Sequence, residues 1–169
     1  MIFRKANLDE IEKCWDVVCA ARNNMIAIGR HQWTPEYPNR EIISSDIHNG
    51  NGFVLKVEDE IVAYGAVFIN GEPQYEHLDG TWLSVGDYVV IHRLAVNPVH
   101  ERKGYARRFF AETEAWTLNQ GINSLKVDTN YDNVGMLALM AADGYKYCGE
   151  IVYQGGYRKA FEKILTPKT

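Results

Sequence analysis

The stretch from Asp87 to Asp128 constrains the fold of this chain more than any other. DYVVIHRLAV (87–96) is rich in β-branched residues and stops at Asn97-Pro98, as a strand does. From about Lys103 to Asn119, Ala106, Phe109, Phe110, Thr113 and Trp116 recur at helical spacing, and Gly121 ends the helix. INSLKVD (122–128) then reads as a second strand. A strand, a helix and a strand in so short a span form a crossover unit, with parallel strands and a right-handed connection. That unit commits the chain to an α/β architecture.

The flanks add elements of both periods. IFRKA (2–6) is a short strand, and Asn7 with Glu10 makes a capping box. Behind it Ile11, Cys14, Trp15, Val18, Arg22, Met25 and Ile26 fall on one helical stripe that Gly29 stops. RHQWTPEYP (30–38) is irregular because of Pro35 and Pro38, and Asn39 caps a short helix through about Ile47. FVLKVED and IVAYGAVFI form a hairpin around Asp59 and Glu60, followed by a long loop over 70–86. A helix over 133–142 ends at Asp143-Gly144, and strands YKYCGEIVY and GYRKAFEKIL meet around Gln154-Gly155-Gly156. The expected fold is α/β: a mixed, largely antiparallel sheet flanked by helices on both faces, built on a β-α-β crossover core, as one domain over 1–169.

Composition excludes several functions. The hydrophobic fraction of 46% is globular, and a net charge of −4 lacks the basic excess a nucleic-acid module needs. No apolar run approaches the roughly 20 residues that cross a bilayer. MIFRKANLDE has no apolar signal-peptide core, so the expected location is cytoplasmic, with no membrane partner. Cys14, Cys19 and Cys148 follow no pattern and suit a reducing compartment, and no CxxC, HExxH or EF-hand spacing calls for a metal.

The chemistry concentrates in VVIHRLAVNPVHERKGYARRFF (89–110). A loop carrying Gly104 opens a helix there. The N–H groups of a first helical turn lack internal partners, and the helix dipole adds about half a positive charge. A pyrophosphate fits such a place. It would meet the amides of Lys103, Gly104, Tyr105 and Ala106, with Arg102, Lys103, Arg107 and Arg108 supplying charge. The plainer alternative is an ordinary strand-to-helix turn with a solvated basic start. There is no GxxxxGK[ST] phosphate loop.

LAVNPVHERKGYA, the following helix, LKVDTN and DNVGMLALMAADGYKYCG together resemble the GNAT superfamily of acetyl-CoA-dependent N-acetyltransferases over about 87–150. The family loop, Gln/Arg-x-x-Gly-x-Gly/Ala, here reads Glu101-Arg102-Lys103-Gly104-Tyr105-Ala106, with Glu101 the departure. The resemblance implies the GNAT-like acyl-CoA N-acyltransferase fold and acetyl-CoA as cosubstrate. Leu94, Ala95 and Val96 would pair through their backbone with the pantetheine arm, residues 102–107 would hold the pyrophosphate, and Asn133 would face the cofactor.

Acetyl transfer to an amine needs a base, and the resemblance puts one at His92 in some members; a packed strand histidine is the alternative. On a regular strand His92 would share the face of Leu94. A backbone N–H on 94–96 would serve the oxyanion. The family often supplies a Tyr to protonate the thiolate, in Tyr-x-x-x-Gly-Phe, but counting back from Gly144 gives Met140. Tyr131 and Tyr147 are weak substitutes, and Tyr145 reads as core.

Trp33 and Tyr37 in the Pro-containing loop, and Trp82 in the 70–86 loop, are either substrate-pocket walls or loop packing. From Val57 to His92 there are seven acids and no Lys or Arg, which suits a cationic amine. Glu58 to Glu60 belong to a hairpin tip expected to be remote from any cleft. The expected partner is a small-molecule amine, or alternatively a peptide or protein amine. A homodimer is compatible with the chain, and a non-catalytic acyl-CoA-binding or sensing protein is the reading from another class.

Overall fold

In the computed structural model, which describes residues 1–153 and 156–167, these patterns resolve into eight strands and four α-helices among the described residues. The order is β1 (Ile2–Lys5), α1 (Ile11–Ala27), α2 (Arg40–His48), β2 (Gly52–Val57), β3 (Glu60–Ile69), β4 (Asp79–Gly80), β5 (Val89–Val96), α3 (Tyr105–Asn119), β6 (Ser124–Asn130), α4 (Val134–Ala142), β7 (Lys146–Tyr153) and β8 (Gly156–Ile164). The strands form one sheet in the order β1-β2-β3-β5-β6-β8-β7-β4. β5 and β6 run parallel, as a crossover demands, with Val89 opposite Leu125 and Val90 opposite Lys126. The β1–β2, β2–β3, β6–β8, β7–β8 and β4–β7 ladders are antiparallel. The α/β, largely antiparallel expectation therefore holds. Of the expected turn between the last two strands, Gln154 and Gly155 lie outside the described residues.

One strand escaped the sequence. β4, inside the stretch read as a long loop, pairs Asp79 with Glu150 and Gly80 with Gly149. Its two glycines face each other with φ of +149° and +146°; a Cβ on Gly80 would sit 2.0 Å from the Cys148 carbonyl oxygen. A 3-10 turn over Pro73–His77 precedes it.

The chain packs as two compact units. The first comprises Met1–Val67 and Ile91–Thr113. Its core joins Cys14, Val17 and Val18 of α1, Ile43 and Ile47 of α2, Val54, Ile61, Tyr64 and Ala95 of the strands, and Trp33. The Asn7 N–H donates to Glu10 Oε2 at 2.9 Å, as the capping spacing foretold. The Asn39 side chain accepts from the Ile42 N–H at 3.0 Å and starts α2.

The second unit comprises Phe68–Val90 and Glu114–Thr169. Tyr75, Val90, Ile151 and Ala160 form an apolar cluster, against which Phe68, Leu78, Trp82, Tyr88 and Tyr153 pack. Buried polar groups are satisfied locally. Glu162, fully buried, accepts from the N–H groups of Leu83 at 2.6 Å and Ser84 at 3.3 Å, and from the hydroxyls of Ser124 at 2.7 Å and Ser84. Asp128 accepts from Tyr75 Oη at 2.8 Å and Tyr153 Oη at 3.3 Å.

Candidate active site

The loop between β5 and α3 is built as the sequence suggested. A 3-10 turn over Pro98–His100, capped by the Asn97 side chain, leads into Arg102 at φ 61° and Gly104 at φ 79°. Left-handed residues are a common ingredient of the backbone concavities that bind anions. Arg108 N–H, bonded to the Gly104 carbonyl at 2.9 Å, makes the first helical hydrogen bond. The amides of Lys103, Gly104, Tyr105 and Ala106 have no acceptor among the described residues. Arg102, Lys103 and Gly104 are exposed, so that edge is open.

The side chains around it are more committed than the sequence suggested. Lys103 Nζ lies 3.2 Å from His100 Nδ1, and His100 Nε2 lies 2.7 Å from Glu60 Oε1. With Nε2 carrying its proton toward Glu60, His100 accepts from Lys103 and ties the loop to the β2–β3 hairpin. Glu101, at the position where the motif carries Gln or Arg, accepts from Asn24 Nδ2 at 3.0 Å. Arg108 pairs with Glu112 one turn on, while Arg102 makes no ion pair among the described residues. Arg107 is exposed. The hairpin tip is not remote from a cleft. Glu58, Asp59 and Glu60 line a cavity of about 750 Å³ with His100, Lys103 and Tyr105.

On β5, Leu94 and Val96 are half-buried and Ala95 is core. His92 is half-buried too, but the strand does not oblige it to share the face of Leu94. Arg93 between them has φ 54°, and strict alternation does not carry across a left-handed residue in a strand.

Arg93 itself is a residue sequence reasoning missed. Its guanidinium grips Asp46 of α2 with Nε at 2.9 Å and Nη2 at 2.7 Å, while Nη1 donates to Tyr37 Oη at 3.2 Å. Asp46 also accepts from Tyr64 Oη at 3.0 Å. Burial works against the Arg93 charge, yet the bonds and field of Asp46 outweigh it and hold the guanidinium above its ordinary value. The one signal was Asp46 itself, an acid beside the buried Ile43 and Ile47 in a short amphipathic helix.

Tyr37 is thus a half-buried partner of the Arg93–Asp46 pair, and its loop is held by Arg22 Nη1, which donates to the carbonyls of Pro35 at 2.9 Å and Pro38 at 3.1 Å. Trp33, 5% exposed, is a core residue of the first unit. In the second unit, Trp82 Nε1 donates to the Tyr75 carbonyl at 2.9 Å. Asn133 caps α4, its side-chain oxygen accepting from the Met136 N–H at 3.3 Å. Met140 is fully buried. Tyr145 is core, as expected: its hydroxyl donates to Glu114 at 2.8 Å, and burial pushes its pKa far up. Tyr131 and Tyr147 are about half exposed.

The second residue missed is Lys126, which alternates with Leu125 and Val127 in β6 and is only 5% exposed. Its Nζ lies 4.2 Å from the ring centres of both Trp82 and Tyr88, and burial pulls its pKa below the ordinary lysine value. No His, Cys, Asp and Glu cluster among the described residues could hold a metal.

Residues 17–145 match the model of the acetyltransferase (GNAT) family. A GNAT-family acetyltransferase from Streptococcus agalactiae 2603 is 30% identical with a TM-score of 0.88, covering 98% of this chain and 96% of that one. A polyamine N-acetyltransferase from Drosophila melanogaster that forms N-acetylagmatine shares the fold at 18% identity and TM-score 0.70, covering 97% and 99%. So does a PaiA N-acetyltransferase from Thermoplasma acidophilum in complex with coenzyme A, at 14% and 0.71, covering 96% and 98%. No curated protein matches the chain.

Proposed function

The chain belongs to the GNAT family of acetyltransferases, and from that premise we propose that it moves an acetyl group from acetyl-CoA directly to the primary amine of a small molecule, as a single acetyltransferase domain over 1–169. One observation carries the reading: the amides of 103–106 lack partners on an exposed, basic helix start. Unpaired N–H groups and the helix dipole there favour a diphosphate. The coenzyme A complex of the Thermoplasma relative is consistent with this cofactor.

Acetyl-CoA, when bound, supplies an acyl group activated as a thioester. The amides of residues 103–106 grip its diphosphate, with Arg102 and Arg107 adding charge. The backbone of Leu94, Ala95 and Val96 aligns the pantetheine arm by strand-like pairing. Asn133, already engaged as a cap, offers the cofactor at most its remaining hydrogen-bonding capacity. His92 takes the proton that an acceptor ammonium must lose before it can attack, as a general base within reach of the acceptor would. With Met140 buried where a Tyr could have stood, the thiolate leaves without a side-chain acid. Its thiol pKa of roughly 8.5 makes that tolerable. Tyr37, half-buried, is the candidate wall of the acceptor site, whereas Trp33 acts by packing the loop that carries Tyr37.

A second reading has a specific observation behind it. Met140 removes the usual acid, which favours a non-catalytic acyl-CoA-binding or sensing protein. Thermal unfolding and free-thiol release over a panel of small amines and peptide amines separate the two. Acetyl-CoA at about a hundredfold excess over its Kd should add about 2.7 kcal/mol of stability. The His92→Ala variant should keep that shift while losing about a hundredfold in turnover. Unchanged turnover removes His92 from the reaction. A shift with no amine acetylated supports sensing, and no shift at millimolar acetyl-CoA overturns the cofactor.

A further inference from the structure

The cavity beneath the 70–86 segment lies wholly within the second unit. It has a volume of about 630 Å³, in the range of small-molecule sites. Its walls include Tyr75, Trp82 and Tyr88, and Lys126 reaches it from β6. Three features of Lys126 stand out. It is 5% exposed, its Nζ lies 4.2 Å from two aromatic ring centres, and it has neither a hydrogen-bond acceptor nor a carboxylate at ion-pair distance among the described residues. Glu162 is the acid whose field acts on it, but the Glu162 oxygens are already filled by Leu83, Ser84 and Ser124.

No buried side-chain nitrogen is left unbonded among the described residues, so the Lys126 stem is buried while its tip opens on the cavity, where aromatic faces supply only part of what an anionic partner would. An unpaired ammonium lining a cavity is therefore half of an interaction. We infer that this cavity binds a small organic monocarboxylate, with its anionic end on Lys126 Nζ and its body against Trp82 and Tyr88. The charge count favours one negative charge over two. A single cation faces the ligand, and the carboxyl side chains of Glu72 and Glu76 on the same lining oppose a dianion such as a phosphate monoester. Glu76 on that lining would accept an ammonium carried by the ligand, so amino acids belong to the class. The inference does not rest on the proposed acetyl transfer, since every residue it uses lies in the second unit and binding is read without acetyl-CoA.

The test is calorimetric titration of the full chain, without acetyl-CoA, using phenylacetate, its neutral isostere phenylacetamide and the dianion phenyl phosphate. Phenylacetate should bind at least tenfold more tightly than either of the others. Lys126→Met should abolish the preference, and Lys126→Gln, which keeps a polar head, serves if the Met variant does not fold. Equal binding of phenylacetate and phenylacetamide, no binding of phenylacetate, or a preference that survives both substitutions overturns the inference. Thiol release with carboxylate-bearing amines then tells the two sources of such a ligand apart. A KM raised by Lys126→Met for those amines alone identifies the acceptor, and binding without acetylation identifies a separate ligand. Either supports a carboxylate site.

Discussion

Glu10 shows how a single side chain in this protein depends on partners both near and far in sequence. Only 7% exposed, it accepts from Arg4 Nη1 at 2.8 Å and Nη2 at 2.7 Å, and from the Asn7 N–H at 2.9 Å. The bonds to Arg4 hold its carboxyl down at about 2 against an ordinary 4.5, although burial pushes the other way. A depressed folded-state pKa adds stability above the unfolded value and loses it as pH falls through the folded one. Glu10→Gln should therefore cost about 2 kcal/mol at pH 7, with partial exposure of Arg4 moderating the figure. The gap between wild type and variant in urea midpoints should close between pH 4.5 and 2. A gap that does not change with pH would mean the carboxylate charge contributes nothing. Asn7 and Glu10 were legible because their spacing is local, whereas the bond to Arg4 depends on how β1 runs beside the turn. His92 marks the limit at this scale: its face was inferred from alternation, and the left-handed Arg93 breaks alternation without any sequence sign.

Among the elements, those with a full period of apolar residues were read correctly and the shortest was missed. α1, α2, β2, β3 and β5 carry enough repeats for period 3.6 and period 2 to separate. β4 has two residues, too few for any period, and exists because Gly80 and Gly149 let two backbones approach. A Cβ on Gly149 would lie 2.2 Å from the Asp79 carbonyl oxygen, and φ of +146° is strained for any L side chain. Gly149→Ala should cost about 3 kcal/mol, from backbone strain and a clash with backbone that cannot give. Amide exchange should then accelerate at Thr81, whose N–H is bonded to the Cys148 carbonyl at 2.9 Å. Unchanged protection there would show that β4 tolerates the side chain. The β5–α3 loop was legible for the opposite reason: its chemistry lies in the backbone, and Gly104 is all that announces it.

On the scale of the whole molecule, burial sorts three similar thiols. Cys14 is fully buried and burial pushes its pKa up to about 12; Cys148 is 8% exposed and also raised by burial; Cys19 on α1 is half-buried. Thiolate is the reactive form, so an aromatic disulfide reagent should label one equivalent, at Cys19, in the native protein and three after unfolding. Rapid labelling of Cys14 in native protein would contradict the packing of α1 on its sheet. None of this ordering could be read from three unpatterned cysteines. By itself the sequence determined the α/β class, the crossover, the helix caps and the amide-lined loop, because local periodicity and backbone chemistry dictate them. Only the tertiary structure decided that Arg93 answers Asp46, that Glu60 holds His100, and that Lys126 lies between two rings with no carboxylate at ion-pair distance among the described residues. Those are meetings of residues far apart in the chain, fixed by strand register and by which side chains a packed core leaves dry.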